Sequence, residues 1–322
     1  MKKGLLINDL ELGYAPMSAY AFLNLIEDKE FPKYVADSHL YIIAQRRELT
    51  FNNFSSYQNN EIIRFEIKQE NNTELIHCNM PLFQEYIATD KTKGVGVRLK
   101  NRNNTIKKKN TPPYNGTQGI TFQEINLETN ERKHLIWFSP EKLLENYWNG
   151  HIELNITGDI RKILEYKVHY VGKSTEQNIC ARLSNHKTFQ EILINQEPLT
   201  YGNIPSNEIV ILLFRISDVN TMTRWGDEST GEEVENFLNN YRTPDDRTIS
   251  LDAEKALIKH LQPEYNKVLY KSYPKRDDLL NKDVHDTILY GFVDPITLIY
   301  EDGQIRGNEN LYERDYLTIE KK

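Results

Sequence analysis

Cysteine is scarce. Cys78 and Cys180 are the whole complement of the 322 residues, and no CxxC pair occurs. Neither a disulfide framework nor a thiolate zinc site is indicated. Long apolar runs are missing too, since none approaches the roughly 20 residues of a membrane span. The N-terminal MKKGLLINDLELG offers only Leu5-Leu6-Ile7 before Asn8-Asp9, short of the roughly 7–15 apolar residues of a secretory signal. A cytoplasmic protein without a membrane partner is the expectation. No fixed-period repeat or low-complexity tract is present, which argues against solenoid and collagen-like classes. What is there suits a globular chain: 39% hydrophobic, 27% charged and 11% aromatic residues, with 19 tyrosines. The length accommodates two domains, each with its own core.

The net charge of −7 conceals an asymmetry. Residues 1–150 hold 19 Lys+Arg against 18 Asp+Glu, and residues 151–322 hold 21 against 29. Within the first half, residues 91–109 (KTKGVGVRLKNRNNTIKKK) carry eight basic residues and no acidic one. Lys91, Lys93, Arg98, Lys100, Arg102, Lys107, Lys108 and Lys109 form either a solvated loop or a strip that contacts phosphates.

Alternation and β-branched content predict strands at 40–45, 62–67, 95–99, 119–125 and 134–138, with helical spacing over 17–28. Ser139 followed by Pro140 reads as an N-cap and first helical residue, so a short helix is expected at 139–148. The expected organisation is a β-rich domain over 1–140 with a recognition or partner-binding role, a second domain over 141–275, and a C-terminal extension over 276–322. In the second domain, residues 151–156 read as the first strand and 163–172 as the next. Residues 175–193 are helical with a break near 186–188. Residues 208–216 form a continuous apolar run, as in a central strand covered on both faces. An acidic inserted loop with one short helix is expected over 217–250, then a helix over 251–262 stopped by Pro263 and carrying Glu254 in its first turn.

Three pieces in this domain could carry chemistry. Tyr170-Val171-Gly172-Lys173 closes a strand. Arg182 and His186 are four residues apart and share a helix face. Glu254 precedes Pro263 and Asn266. A guanidinium fork suits a phosphate, and Lys173 adds a point charge. Gly172 allows close backbone approach. One carboxylate suffices for a hydrated Mg²⁺ that takes further ligands from substrate phosphate.

In this order and spacing, the three pieces resemble the GIY-YIG nuclease superfamily over residues of about 150–270. The resemblance implies an α+β chain in which a small α/β sandwich with a central antiparallel sheet follows the β-rich domain. It also implies an endonuclease, a phosphodiester hydrolase acting on DNA with Mg²⁺ or Mn²⁺. Tyr170, Lys173, Arg182, His186 and Glu254 would be catalytic, Glu254 would hold the metal, and Gly172 and Asn266 would support the site. The family's first tyrosine, usually ten or eleven residues before the YIG strand, has no counterpart in residues 155–162. Tyr147 and Tyr166 do not fit that spacing, and Tyr166 reads as sharing a strand face with Tyr170. The general base is thus open between Tyr170 and His186. Two rival readings remain: a catalytically inactive nucleic-acid-binding protein on the same scaffold, and an interaction module acting through residues 1–140.

Overall fold

The computed structural model describes residues 3–57, 62–81, 92–100, 114–196, 207–275, 278, 280 and 285–320. Two compact units emerge: Met1–Arg46 with Leu164–Lys322, and Arg47–Ile163. These limits differ from the expected boundaries at 140 and 275, because the first 46 residues belong with the C-terminal half.

The first unit is built on an eight-stranded sheet ordered β14-β13-β10-β2-β11-β1-β12-β15. Its strands are β1 (Lys3–Ser18), β2 (Leu40–Arg47), β10 (Glu165–Lys173), β11 (Asn207–Arg224), β12 (Thr287–Phe292), β13 (Thr297–Tyr300), β14 (Gly303–Arg306) and β15 (Tyr316–Glu320). β10 pairs with β13, and β1 with β12, in parallel, while β10 and β2, and β1 and β11, run antiparallel. The sheet edges approach each other, since the Asp315 N–H donates to the Arg306 carbonyl at 2.9 Å and the Arg306 N–H to the Asp315 carboxylate at 2.9 Å. The result is a nearly closed, barrel-like sheet, and the described residues are mostly β, with 44% strand and 25% helix. This corrects the expected small α/β sandwich. The tail strands β12 to β15 and the N-terminal β1 join the central strands, so the sheet grows to eight.

Helices α1 (Ala19–Leu25), α2 (Phe31–Tyr34), α4 (Ile179–Ser184), α5 (Lys187–Gln196), α6 (Gly231–Asn240) and α7 (Asp246–Leu261) decorate this unit. Phe22, Phe31, Leu183, Phe189 and Ile192 from the helices pack with Tyr41, Ile43, Ile211 and Leu213 from the sheet in one buried cluster. The apolar run of β11 is buried from Ile209 to Phe214, as a strand covered on both sides requires. Residues 217–224, expected in a loop, continue β11 against Lys3–Asp9. α7 also starts earlier than its apolar spacing suggests. Asp245 caps it by accepting from the Thr248 N–H at 2.9 Å, and left-handed Gln262 ends it at φ 43°. Glu254 therefore sits mid-helix, where the N-terminal dipole no longer favours a carboxylate.

The second unit contains two antiparallel sheets. One, in the order β3-β4-β5-β9, is made of β3 (Leu49–Tyr57), β4 (Ile62–Gln69), β5 (Leu75–Pro81) and β9 (Asn155–Thr157). The other holds β6 (Lys93–Lys100), β7 (Gly119–Asn126) and β8 (Arg132–Phe138). Helix α3 (Pro140–Trp148) follows, with the Ser139 hydroxyl accepting from the Lys142 N–H at 3.2 Å. Of the strand expected at 151–156, only Asn155–Thr157 is extended, and it pairs with β5 rather than with β10. Among the described residues, no helix is long and apolar enough to cross a membrane.

Candidate active site where β2 begins and β10 ends

β10 finishes against the start of β2, and the antiparallel register sets Gly172 opposite Tyr41 and Tyr170 opposite Ile43. Opposed residues of an antiparallel pair face the same way, so both tyrosines project into the cluster that carries α4 and α5. Their rings stand 6.0 Å apart. Both also meet the imidazole of His186 edge-on, at 5.9 Å for Tyr41 and 5.1 Å for Tyr170. Gly172 makes this possible. A Cβ there would fall 2.5 Å from Tyr41 Cζ and 2.7 Å from Tyr170 Cε1.

The register of β10 slips between Val168 and Tyr170. That bulge reverses the alternation, as bulges do. Val168 opposes Ala44, on the side of β2 away from Tyr41 and Ile43. Tyr166, two residues earlier, follows Val168 and not Tyr170, so the expected shared face of Tyr166 and Tyr170 is corrected. Tyr166 is fully buried, and its hydroxyl has no hydrogen-bond partner among the described residues.

Arg182 and His186 arrive on the α4–α5 corner. Asn178 caps α4 by accepting from the Cys180 N–H at 2.8 Å. His186 follows the end of α4 and caps α5, its Nδ1 accepting from the Phe189 N–H at 3.1 Å. That role leaves the proton of a neutral imidazole on Nε2, which makes Nε2 a donor. Burial, followed by the Arg182 charge, pushes His186 down to about 4, so it is neutral at pH 7. Tyr41 is raised above its ordinary value chiefly by burial, with Tyr170 adding and Arg182 opposing. Among the described residues its hydroxyl meets strict hydrogen-bond geometry with none, but Arg182 and Tyr170 lie close enough for weaker hydrogen bonding. Tyr170 is raised by burial and then by the negative charge of Glu254.

Glu254 reaches the same end of β10 from α7, and its Oε2 lies 3.0 Å from Lys173 Nζ. The contact is an ion pair whose angles fall short of a hydrogen bond, which leaves a buried carboxylate oxygen without one. Burial raises the Glu254 pKa, while Lys173, Lys255 and Arg182 act against it. Asp252, two residues earlier, is already occupied, accepting from the Tyr273 and Tyr290 hydroxyls at 2.6 and 2.7 Å. Asn266 braces β10 from below the site. Its Oδ1 accepts from the Val171 N–H at 2.9 Å and its Nδ2 donates to the Val171 carbonyl at 2.8 Å. A cavity of about 650 Å³ opens beyond α7, lined by Lys255, Lys267, Tyr270, Lys271 and Lys275 with Asp278. Tyr270 is close enough to Tyr170 to raise its pKa.

Among the described residues, no three His, Cys, Asp or Glu side chains are grouped as a metal set. The single carboxylate fits a hydrated Mg²⁺ or Mn²⁺ nonetheless, because such an ion keeps several waters and takes phosphate oxygens as ligands. Glu254 Oε2 would serve such an ion once Lys173 gives it up.

The structure thus brings together Tyr170, Gly172, Lys173, Arg182, His186, Glu254 and Asn266. It adds Tyr41, which sequence reasoning missed. Tyr41 lies 129 residues before Tyr170, far beyond the ten or eleven that the resemblance implies. The strand at 40–45 was visible, and Tyr41-Ile42 echoes Tyr170-Val171, but only the β2–β10 register joins them. Tyr147 lies on α3 in the other unit. Of the basic strip, Lys93, Arg98 and Lys100 are on β6, and Lys93 pairs with Glu124 at 3.3 Å. Lys91, Arg102, Lys107, Lys108 and Lys109 lie outside the described residues. No family model, curated protein or solved structure matches the chain.

Proposed function

We propose that the chain is a metal-dependent endonuclease of the GIY-YIG type that hydrolyses phosphodiester bonds in DNA. The observation that supports this most is the meeting of Tyr41, Tyr170, Lys173, Arg182, His186 and Glu254 around Gly172. These side chains come from β2, β10, the α4–α5 corner and α7. Such a set combines two phenols, two cations that can hold a phosphate, a neutral imidazole donor and a carboxylate.

Arg182 grips the scissile phosphate with its planar fork and stabilises the charge that builds on it. Lys173 contributes a second positive charge once it leaves Glu254 for the phosphate. The half-buried Tyr170 oxygen accepts a hydrogen bond from the attacking water and orients it, and the buried Tyr41 ring positions Tyr170. The His186 Nε2–H donates toward a phosphoryl or leaving oxygen. It does not serve as the general base while its Nδ1 caps α5. The reaction adds water across the P–O bond, with the water oxygen bonding to phosphorus and one proton reaching the departing oxygen. Glu254 would hold Mg²⁺ or Mn²⁺, which supplies Lewis acidity to the phosphoryl oxygen and acidifies water. The lysine-lined cavity gives room and charge for a neighbouring phosphate.

The test is cleavage of supercoiled and linear DNA with Mg²⁺ or Mn²⁺, comparing the natural protein with Glu254→Gln and Arg182→Ala. Cleavage by the natural protein that both substitutions remove, with melting unchanged, is the expected result. Cleavage untouched by Glu254→Gln defeats the assignment. One observation favours a second reading, a nucleic-acid binder without catalysis: Lys173 already neutralises the carboxylate. Salt-sensitive DNA binding without cleavage under any divalent metal would decide for that reading.

A further inference from the structure

Register in the β6-β7-β8 sheet fixes which side chains share a face. Arg98 opposes Thr121, which opposes Trp137, and Lys100 opposes Gly119. A shift between Phe122 and Gln123 then sets Gln123 against His134 and Ile125 against Arg132. Arg98, Lys100, Arg132, His134 and Trp137 therefore stand on one side. The alternate residues Ile120, Phe122 and Phe138 point to the other side and are buried. The acidic Glu124 and its partner Lys93 belong to that other side. No Asp or Glu of the three strands shares the basic face.

Arg98, Lys100, Arg132 and His134 are exposed. Among the described residues, Arg98, Arg132 and His134 have no hydrogen-bond or ion-pair partner through their side chains. Gly94 and Gly96 lie on the same side, where the Leu127 and Ile125 side chains fold over them. Trp137 lies down against the strand beside it, with its Nε1 only 2.7 Å from where a Gly119 Cβ would stand. The Lys142 ammonium is 5.6 Å from the indole centre. The face is positive, with its cations on the two outer strands β6 and β8, which lie about 10 Å apart across β7. Neighbouring cations without a carboxylate among them repel one another, and a polyanion laid over them removes that repulsion.

We propose that this face binds the phosphodiester backbone of nucleic acid, gripping phosphates without reading sequence. The inference rests on the nucleic-acid part of the proposed function and is independent of cleavage. It replaces a linear basic strip by a surface. Lys93 drops out, and Arg132 and His134, more than thirty residues further along the chain, enter.

The experiment is anisotropy of a short fluorescein-labelled DNA duplex with the full-length protein in EDTA, across about 50 to 200 mM KCl. The variants are the double substitution Arg98→Gln/Arg132→Gln and, on the opposite side, Lys93→Gln. The double variant should bind at least tenfold more weakly at the low-salt end. Its log–log salt slope should be shallower by about 2, because each phosphate contact contributes roughly 0.9. Lys93→Gln should change neither quantity. Unchanged affinity and slope in a double variant that melts like the natural protein would overturn the inference. So would binding to phosphatidylserine vesicles that depends on Arg98 and Arg132 while DNA binding does not. If DNA is cut yet the double variant binds normally, this face fails and the active site stands. If the face binds DNA and no metal supports cleavage, the inference stands and the nuclease fails.

Discussion

Replacing Gly172 by alanine tests the site at its tightest point. The added methyl would sit 2.5 Å from Tyr41 Cζ, 2.6 Å from its hydroxyl oxygen and 2.7 Å from Tyr170 Cε1. Relief to ordinary van der Waals contact requires the Tyr41 ring to move by about 1 Å. That ring is fully buried and already meets the Tyr170 and His186 rings, so it has no open direction in which to swing. Forced overpacking of this kind costs about 1–3 kcal/mol. The first unit has 205 residues (46 plus 159), a size at which each kcal/mol lowers Tm by roughly 2–4 °C. Thermal melting should therefore fall by about 2–12 °C, and cleavage, where it occurs, should drop by about 10²-fold from the displaced hydroxyls. Gly231→Ala is the control, since nothing lies within 4 Å of its Cβ position, and it should be neutral or slightly stabilising. The decisive comparison is Gly172→Ala in a Tyr41→Leu background, where the clash with the phenol is gone. The two costs should then be non-additive, with the second smaller than in the natural protein. Costs that add within about 0.5 kcal/mol would show that Tyr41 does not rest on Gly172, and the site geometry would be refuted.

Tyr41→Phe removes a buried hydroxyl that lies beside Arg182 and Tyr170 but meets no strict hydrogen-bond geometry among the described residues. Stability by urea unfolding should stay level or rise by up to about 1 kcal/mol, while cleavage falls. Asn266→Ala deletes both hydrogen bonds to Val171 and leaves a strand N–H and carbonyl unpaired, so unfolding should become easier by about 1–3 kcal/mol. The pH dependence has a definite sign. Burial, with Lys167 and Arg182 adding, holds His169 and His186 near 4, below the ordinary value of about 6.5. The unfolded chain takes up these protons first, so this contribution is full above about pH 6.5 and is lost as pH falls toward 4. The raised carboxylates Asp252 and Glu254 work in the opposite sense, their contribution being lost as pH rises. Comparing urea midpoints of the natural protein with His169→Gln and His186→Asn cancels the carboxylates. Each variant should lose less stability than the natural protein between pH 6.5 and 4.

Local structure was legible wherever local physics decides it. The strands at 40–45, 62–67, 95–99, 119–125 and 134–138 and the Ser139-Pro140 start of α3 lie within a residue or two of their expected places, and the run at 208–216 starts where expected but its strand continues to Arg224. The break before α5 was visible as well, and the structure supplies its cause in the His186 cap. Pairing between distant segments was not legible. β1 carries Asn8, Asp9, Glu11 and Gly13 among its apolar residues, so alternation is broken, yet it pairs with β11 on one side and β12 on the other. Sheet closure depends on Arg306 and Asp315, which no periodicity links. Glu254 lies on the helix expected for it, but its setting was not legible. Only the N-cap at Asp245 reveals that it is buried mid-helix rather than placed at a dipole.

The distance from Tyr41 to Tyr170 shows how strand register joins residues that linear spacing keeps far apart. A pair of antiparallel strands needs its ends brought together, and the connection can be any length that closes. Here Gln45 opposes Lys167, and residues 47–163, 117 in number, run between Arg46 and Leu164. For a flexible loop, lengthening from about 10 to 117 residues would add only about 2 kcal/mol of closure entropy. A segment that folds by itself holds its own ends and adds less still. The antiparallel ladder, meanwhile, fixes the two tyrosines by register alone, to within a few tenths of an ångström and without regard to what lies between. Linear spacing is therefore free to change at this connection. The chemistry at Gly172 is not, because a methyl group there would displace both rings. For such a site, the informative search is for a second tyrosine on any strand able to pair with Tyr170-Val171-Gly172, at whatever distance along the chain.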